Sequence, residues 1–210
     1  MKVKIITAFP EFVESIKEFS IIRRAIQKKA LSIEVYNLRD WGLGKYKQID
    51  DTPFGAGVGM LLRIEPIDNA INAVRTEKSY VVATSAKGNI LNYRKSTELS
   101  KKKELVIVCG HYEGIDHRVY EQLVDESISI GNFVLSGGEL AAMVVVDSVT
   151  RLLPGVINKK SLLEESNEKY NEYPQYTKPR AYKGLKVPDV LISGNHQEIA
   201  KWKDSNKILK

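Results

Sequence analysis

Hydrophobic positions along this chain follow two periods in turn. Residues 2–8 (KVKIITA), 31–37 (LSIEVYN), 79–85 (SYVVATS), 104–110 (ELVIVCG) and 126–131 (ESISIG) are short runs rich in β-branched side chains, and each predicts a strand. Between them, Phe12, Val13, Ile16, Phe19, Ile22 and Ile26 recur at helical spacing over 11–29, with charges in between. Further helices are predicted at 66–76, near 92–102 and from Asp116 onward. Strands alternating with helices predict an α/β domain with a largely parallel, buried sheet flanked by helices.

The breaks in this pattern carry as much as the pattern. DDTPFGAGVGM at 50–60 is too long and too rich in glycine to be a mere connector. CGHYEGID ends a strand in glycine and turns, and LSGGE at 135–139 does the same before a helix. Glycine at such places lets a ligand approach the backbone. That next helix, ELAAMVVVDSVTRLL, is apolar on nearly every side, which reads either as a central core helix or as one covered by a second subunit. Residues 157–179 are polar and aperiodic with two prolines, and predict an inter-domain linker or mobile loop. A short extended piece and a final helix follow in 180–210.

Composition narrows the class. The 210 residues carry 32 basic and 26 acidic side chains, a net charge of +6 with pI near 9.2. Residues 1–156 hold 21 basic and 19 acidic groups and 157–210 hold 11 and 7, so the excess of +4 sits in the last quarter. That quarter reads as a solvated tail or as a surface facing nucleic acid. A single cysteine, Cys109, excludes an internal disulfide. No apolar run reaches membrane-spanning length and the N-terminus lacks a signal peptide, so a cytoplasmic protein with no membrane partner is expected.

Candidate chemistry is mostly excluded by spacing. GAGVGM is neither G-x-G-x-x-G nor a phosphate loop ending in G-K-[ST]. His111, His117 and His196 lack metal-site spacing, and no metal ligand is assigned. No G-x-S-x-G elbow supports a serine nucleophile. Cys109, closing an apolar strand, reads as an inert thiol, and Arg151 as a complement to a helix C-terminus. From the residues alone, two glycine loops follow strands of an α/β sheet, where ligands usually sit, and the ligand stays unnamed.

PFGAGVGML, CGHYEGIDHRV, SIGNFVLSGGELAAM, DSVTRLLPGV, YPQYTKP and VPDVLISGNH resemble, in order, the motifs of bacterial tRNA (guanine-N1)-methyltransferases acting on guanine 37. The resemblance covers essentially the whole chain. It implies a SPOUT-class domain over 1–156 with a deep trefoil knot, although knots are exceptional. It implies the linker at 157–179 and a small, shortened tRNA-binding segment at 180–210. The methyl donor implied is S-adenosylmethionine, with Mg2+ supporting activity, tRNA as substrate, and a homodimer whose active site lies at the subunit interface.

By the same resemblance, the donor pocket has three walls: Thr84, Ser85 and Gly88; Gly110, Tyr112 and Glu113; and Ile130, Gly131, Asn132, Phe133, Val134, Leu135, Ser136, Gly137 and Gly138. Gly55, Gly57, Gly59 and His111 are expected to face RNA. Arg151 is implied to stabilise charge on the guanine, and an aspartate in the linker to act as base. Here that loop reads Glu164-Glu165-Ser166, and register by the serine selects Glu165, with Glu164 as the alternative. One extra methylene displaces a carboxylate, and a misplacement of about 1 Å can cost on the order of 10² in rate. His111 stands where the family usually has arginine, and the family usually continues beyond this C-terminus. These departures leave a second expectation, a catalytically weak tRNA-binding protein of the same fold.

Overall fold

A computed structural model describes residues 1–158, 161–162, 165–166 and 170–209, which divide into two compact units, Met1–Asn158 and Lys159–Lys210. In the first unit five strands form one sheet: β1 (Lys2–Thr7), β2 (Ser32–Asn37), β5 (Ser79–Ile90), β6 (Glu104–Val108) and β7 (Glu126–Ser129). Two short strands, β3 (Asp50–Asp51) and β4 (Leu61–Leu62), pair antiparallel on their own. The five run parallel in the order β2-β1-β6-β5-β7. Parallel strands need a crossover between each pair, which is why helices lie on both faces.

Alternation along the strands splits the core in two. Val3, Ile5, Leu105, Ile107 and Cys109 point to one face, where α1 (Pro10–Glu14), α2 (Ser20–Gln27), α4 (Tyr93–Ser100) and α6 (Glu139–Leu152) contribute Val13, Ile22, Leu99 and Val145. Ile6, Val106 and Val108 point to the other, under Ile67 and Ile71 of α3 (Ile64–Val74) and Val119 of α5 (His117–Gln122). β6 is buried at every residue, as the apolar run Leu105–Val108 predicts, and its first residue, Glu104, is buried as well.

The first predicted helix and β5 depart from the sequence expectation. The single helix expected over 11–29 breaks into α1, a 3-10 turn at Ser15–Glu18 and α2. Ser15 Oγ donates to the Phe12 carbonyl at 2.8 Å, a local bond that competes with the helix ladder, and Ser20 has φ +46. Strand β5 is longer than expected, because it resumes after an interruption. Thr84 and Asn89 both register with Ile128 of β7, so residues 85–88 leave the ladder as a short excursion.

α6 resolves as mostly core. Ala142, Val145, Val146 and Val149 are buried, and α6 packs against α1, α2 and α4. Its apolar Leu140 and Val144, one turn apart, remain 48% and 44% exposed.

The second unit contains β8 (Tyr170–Asn171), β9 (Ala181–Tyr182), β10 (Leu185–Lys186), α7 (Asp189–Ile192), α8 (His196–Ser205) and β11 (Ile208–Leu209). Lys183 and Gly184, both at positive φ, close the β9–β10 hairpin. Trp202 of α8 meets Tyr173 and Tyr176 at ring distances of 6.3 and 6.4 Å. No helix among the described residues is long and apolar enough to cross a membrane.

Candidate active site

Three segments far apart in sequence meet at the excursion within β5 and beyond the C-terminal ends of β6 and β7, and they line a cavity of about 500 Å3. The first is the excursion from β5, which supplies Thr84, Ser85 and Lys87. The second is the turn after β6, from Gly110 to Ile115; the third runs from Ile130 to Gly138, after β7. Parallel α/β sheets bind ligands at this end because the strand-to-helix loops converge there. The volume falls within the range of small-ligand sites.

Close backbone approach locks the second and third walls together. The Gly138 N–H donates to the Gly110 carbonyl at 2.6 Å, and His111 forms an antiparallel bridge with Gly137. A Cβ on Gly138 would lie 1.9 Å from Thr84 Oγ1 and 2.7 Å from the Gly110 nitrogen. Thr84 Oγ1 in turn accepts from the Gly110 N–H at 3.2 Å, so the first wall joins the same contact. Only glycine fits at 138, for lack of space and not for its φ.

Most residues expected at the pocket line it: Thr84, Ser85, Gly110, Tyr112, Glu113, Ile130, Gly131 and Phe133 through Gly138. Gly88 and Asn132 do not. Gly88 lies against the β7 backbone, where a Cβ would meet the Ile128 nitrogen at 2.6 Å, so its small size serves sheet packing. His111 also lines the cavity, and Gly59 packs against its rim, where a Cβ would strike Glu113 Cγ at 2.5 Å. The Glu113 N–H donates to the Met60 carbonyl at 3.0 Å and the Leu62 N–H to the Gly114 carbonyl at 3.0 Å, strapping the glycine-rich loop to the turn. Gly55 and Gly57 lie farther out on that exposed loop, beside Phe54 and Val58.

Leu61, Ile115, His117, Tyr120 and Ala141 line the cavity without having been anticipated. Adjacency of Leu61 to Gly59 was a usable signal. Tyr120 carried none, because α5 is too short to display a periodic face. Burial pushes the Tyr120 hydroxyl above its ordinary pKa, and a hydrogen bond with Ser85 partly offsets this.

Arg151 occupies the last turn of α6 and is half-buried. Glu165 belongs to the second unit, where its N–H donates to the Ser161 carbonyl at 3.1 Å. Glu164, the alternative base, lies outside the described residues. Cys109 is buried, and burial with the nearby Glu139 charge holds its thiol well above the ordinary range, as an inert thiol requires. Among the described residues no three His, Cys, Asp or Glu side chains are grouped to hold a metal ion.

The whole chain, residues 1–210, matches the profile of the family described as tRNA (Guanine-1)-methyltransferase TrmD. The tRNA (guanine-N(1)-)-methyltransferase of Caldicellulosiruptor saccharolyticus is 47% identical over 212 residues, covering 100% of this chain and 86% of its own. The protein of the same name from Metamycoplasma arthritidis is 48% identical, covering 97% of this chain and 89% of its own. That of Clostridioides difficile is 42% identical, covering 99% and 93%.

Proposed function

The chain belongs to the tRNA (guanine-1)-methyltransferase family, and from that premise we propose that it transfers a methyl group from S-adenosylmethionine to N1 of guanine 37 in tRNA. The observation that carries this reading is the closure of the 84–87, 110–115 and 130–138 segments on one cavity. The cavity fits the donor by its chemistry. Glycine backbone at 110, 137 and 138 admits close approach, Val134, Leu135, Ile115 and Ala141 offer apolar surface, and Glu113 offers a carboxylate to a cationic ligand. No pyrophosphate has to be held, so the cavity needs no phosphate loop at a helix N-terminus. Bound there, S-adenosylmethionine would supply a methyl group activated on a sulfonium sulfur.

The protein residues then have to make guanine nucleophilic. N1 of neutral guanine carries a proton, and its lone pair is delocalised into the ring. Glu165 takes that proton as general base, which contributes about 10²–10⁴ in rate for such groups. The electron pair left on N1 would bond to the methyl carbon as the carbon–sulfur bond breaks and its electrons return to sulfur, leaving a neutral thioether, while charge on O6 is stabilised by the guanidinium of Arg151. Magnesium accompanies the family expectation, but no ready ligand set stands among the described residues, and no step here depends on it.

The same reading makes the first unit, 1–156, a SPOUT domain with a trefoil knot. Support for the domain comes from the close approach of Gly138 to Gly110, which sets the loop after β7 against the turn after β6. It makes 157–179 the segment that carries the base and 180–210 a tRNA-binding segment, supported by the +4 charge of 157–210. It also pairs two copies, the base of one serving the other. The exposed Leu140 and Val144 on an otherwise buried helix support this pairing. Gly55, Gly57, Gly59 and His111 face the RNA in this arrangement.

The test is transfer of labelled methyl from S-adenosylmethionine to transcribed tRNA carrying G or A at position 37, with magnesium present. Incorporation into the G37 transcript alone is expected. Equal incorporation into both, or none, would overturn the proposal.

A further inference from the structure

Beneath the wall formed by Gly137 and Gly138 lies a chain of buried polar groups that the methyl-transfer mechanism does not use. Thr7, at the end of β1, is fully buried, and its Oγ1 donates to Glu139 Oε1 at 2.7 Å. Glu139, the first residue of α6, is only 4% exposed. Its other oxygen, Oε2, lies 3.6 Å from His111 Nδ1, which is buried and has no hydrogen-bond partner. Phe9 and Tyr112 hold the imidazole ring from two sides, at centroid distances of 4.6 and 4.8 Å. Gly137 fills the remaining space, since a Cβ there would lie 2.3 Å from Glu139 Oε2 and 2.5 Å from His111 Nδ1.

A carboxylate only accepts. If Nδ1 lacked its proton, two acceptors would face each other in a buried space, which is costly. With the proton on Nδ1, a movement of about half an ångström completes a charge-assisted hydrogen bond of ordinary length. We propose that Glu139 is a positioning residue for the methyl donor: it holds His111 in the Nδ1–H form and, anchored by Thr7, sets the spacing between the 110–111 and 137–138 walls of the cavity. This rests on the cavity being the donor site. Of the elements packed around the ring, α6 brings the Glu139 carboxylate, the His111 turn brings Tyr112 and Glu113, and Phe9 and Gly137 bring no charge.

The experiment is nitrogen-15 and proton NMR of His111 in the full wild-type chain, with calorimetry of S-adenosylmethionine binding to wild type, E139Q, H111N and the double variant. The expected spectrum shows Nδ1 protonated in the neutral ring. E139Q is expected to weaken donor binding about ten-fold, as loss of a hydrogen bond to a charged group does. It should raise the donor KM by a similar factor and lower kcat less. E139Q added to H111N should cost nothing further, because both act through one contact. A wild-type His111 protonated on Nε2, or additive losses in the double variant, would overturn the assignment. Since the wild-type spectrum needs no variant to fold, it decides alone if E139Q is unstable. Failure of the wild type to bind S-adenosylmethionine would instead refute the proposed function, with the spectrum still deciding the role of Glu139.

Discussion

The Gly138 amide donates to the Gly110 carbonyl at 2.6 Å, joining two loops separated by β7 and α5. Everything placed on the cavity depends on that approach, and the two glycines differ in how tightly they are held. A Cβ on Gly110 would lie 3.1 Å from the Thr84 carbonyl oxygen, a contact that a small shift relieves. On Gly138 it would lie 1.9 Å from Thr84 Oγ1, which no small shift relieves. Gly138→Ala is therefore expected to weaken S-adenosylmethionine binding by at least ten-fold, from overpacking of about 1–3 kcal/mol, and Gly110→Ala by less. Calorimetry of both variants checks the order; equal losses would contradict it.

Glu165 and Arg151 are expected to separate from the donor pocket in kinetics. Glu165→Gln should lower kcat about 10²–10⁴-fold while leaving the donor Kd within a factor of about two. Arg151→Ala should lower kcat about 10²–10³-fold with similarly small change in donor affinity. Single-turnover methyl transfer at saturating tRNA is the measurement. Near-normal turnover in Glu165→Gln, with loss in Glu164→Gln, would move the base to Glu164.

Lys4 and Glu104 form a buried ion pair between neighbouring strands, at 3.1 Å with side chains 6% and 10% exposed. Lys4 Nζ also donates to the Val74 carbonyl, and Ser79 and Thr76 donate to Glu104. Lys4→Met leaves the carboxylate buried without its cation, and should destabilise the first unit by about 3–5 kcal/mol in urea unfolding. Lys4→Met with Glu104→Leu should recover most of that loss. A Lys4→Met cost below about 1 kcal/mol would show that water reaches the pair.

Glu104 also sets an acid limit. Burial would raise its pKa, but hydrogen bonds from Ser79, Lys4 and Thr76 together outweigh burial and hold it below the usual 4.5. A depressed folded value means that the unfolded chain binds the proton more readily. The stabilisation is thus present above pH 4.5 and is lost as pH falls through the lower folded value. Glu104→Gln should flatten the decline in stability below pH 4.5, which acid unfolding followed by circular dichroism measures.

Leu140 and Val144 present an apolar row on α6 to solvent in the single chain. If two copies pair there, Leu140→Glu should shift sedimentation from dimer to monomer and abolish turnover. An unchanged dimer with normal turnover would place the pairing surface elsewhere.

The parallel sheet, its strands and the loops that carry the site were legible in the chain, because a strand's period and a glycine's freedom are local properties. Ile107, Val108 and Gly110 announce a buried strand ending in a turn open to close backbone approach, without help from distant residues. The motifs around Gly110 and Gly137 likewise named the family. What only tertiary structure decided depends on contacts across long sequence separation. Gly88 looked like a pocket residue and is turned onto β7, since its neighbours 127 and 128 come from another element. The uniform apolar pattern of α6 divides into a buried face and an exposed row only once α1, α2 and α4 cover one side. Nothing in the sequence sets Thr7 or Glu139 apart, and His111 is expected there only to face RNA. Packing brings them into one buried cluster, where the absence of water makes the position of a single proton matter.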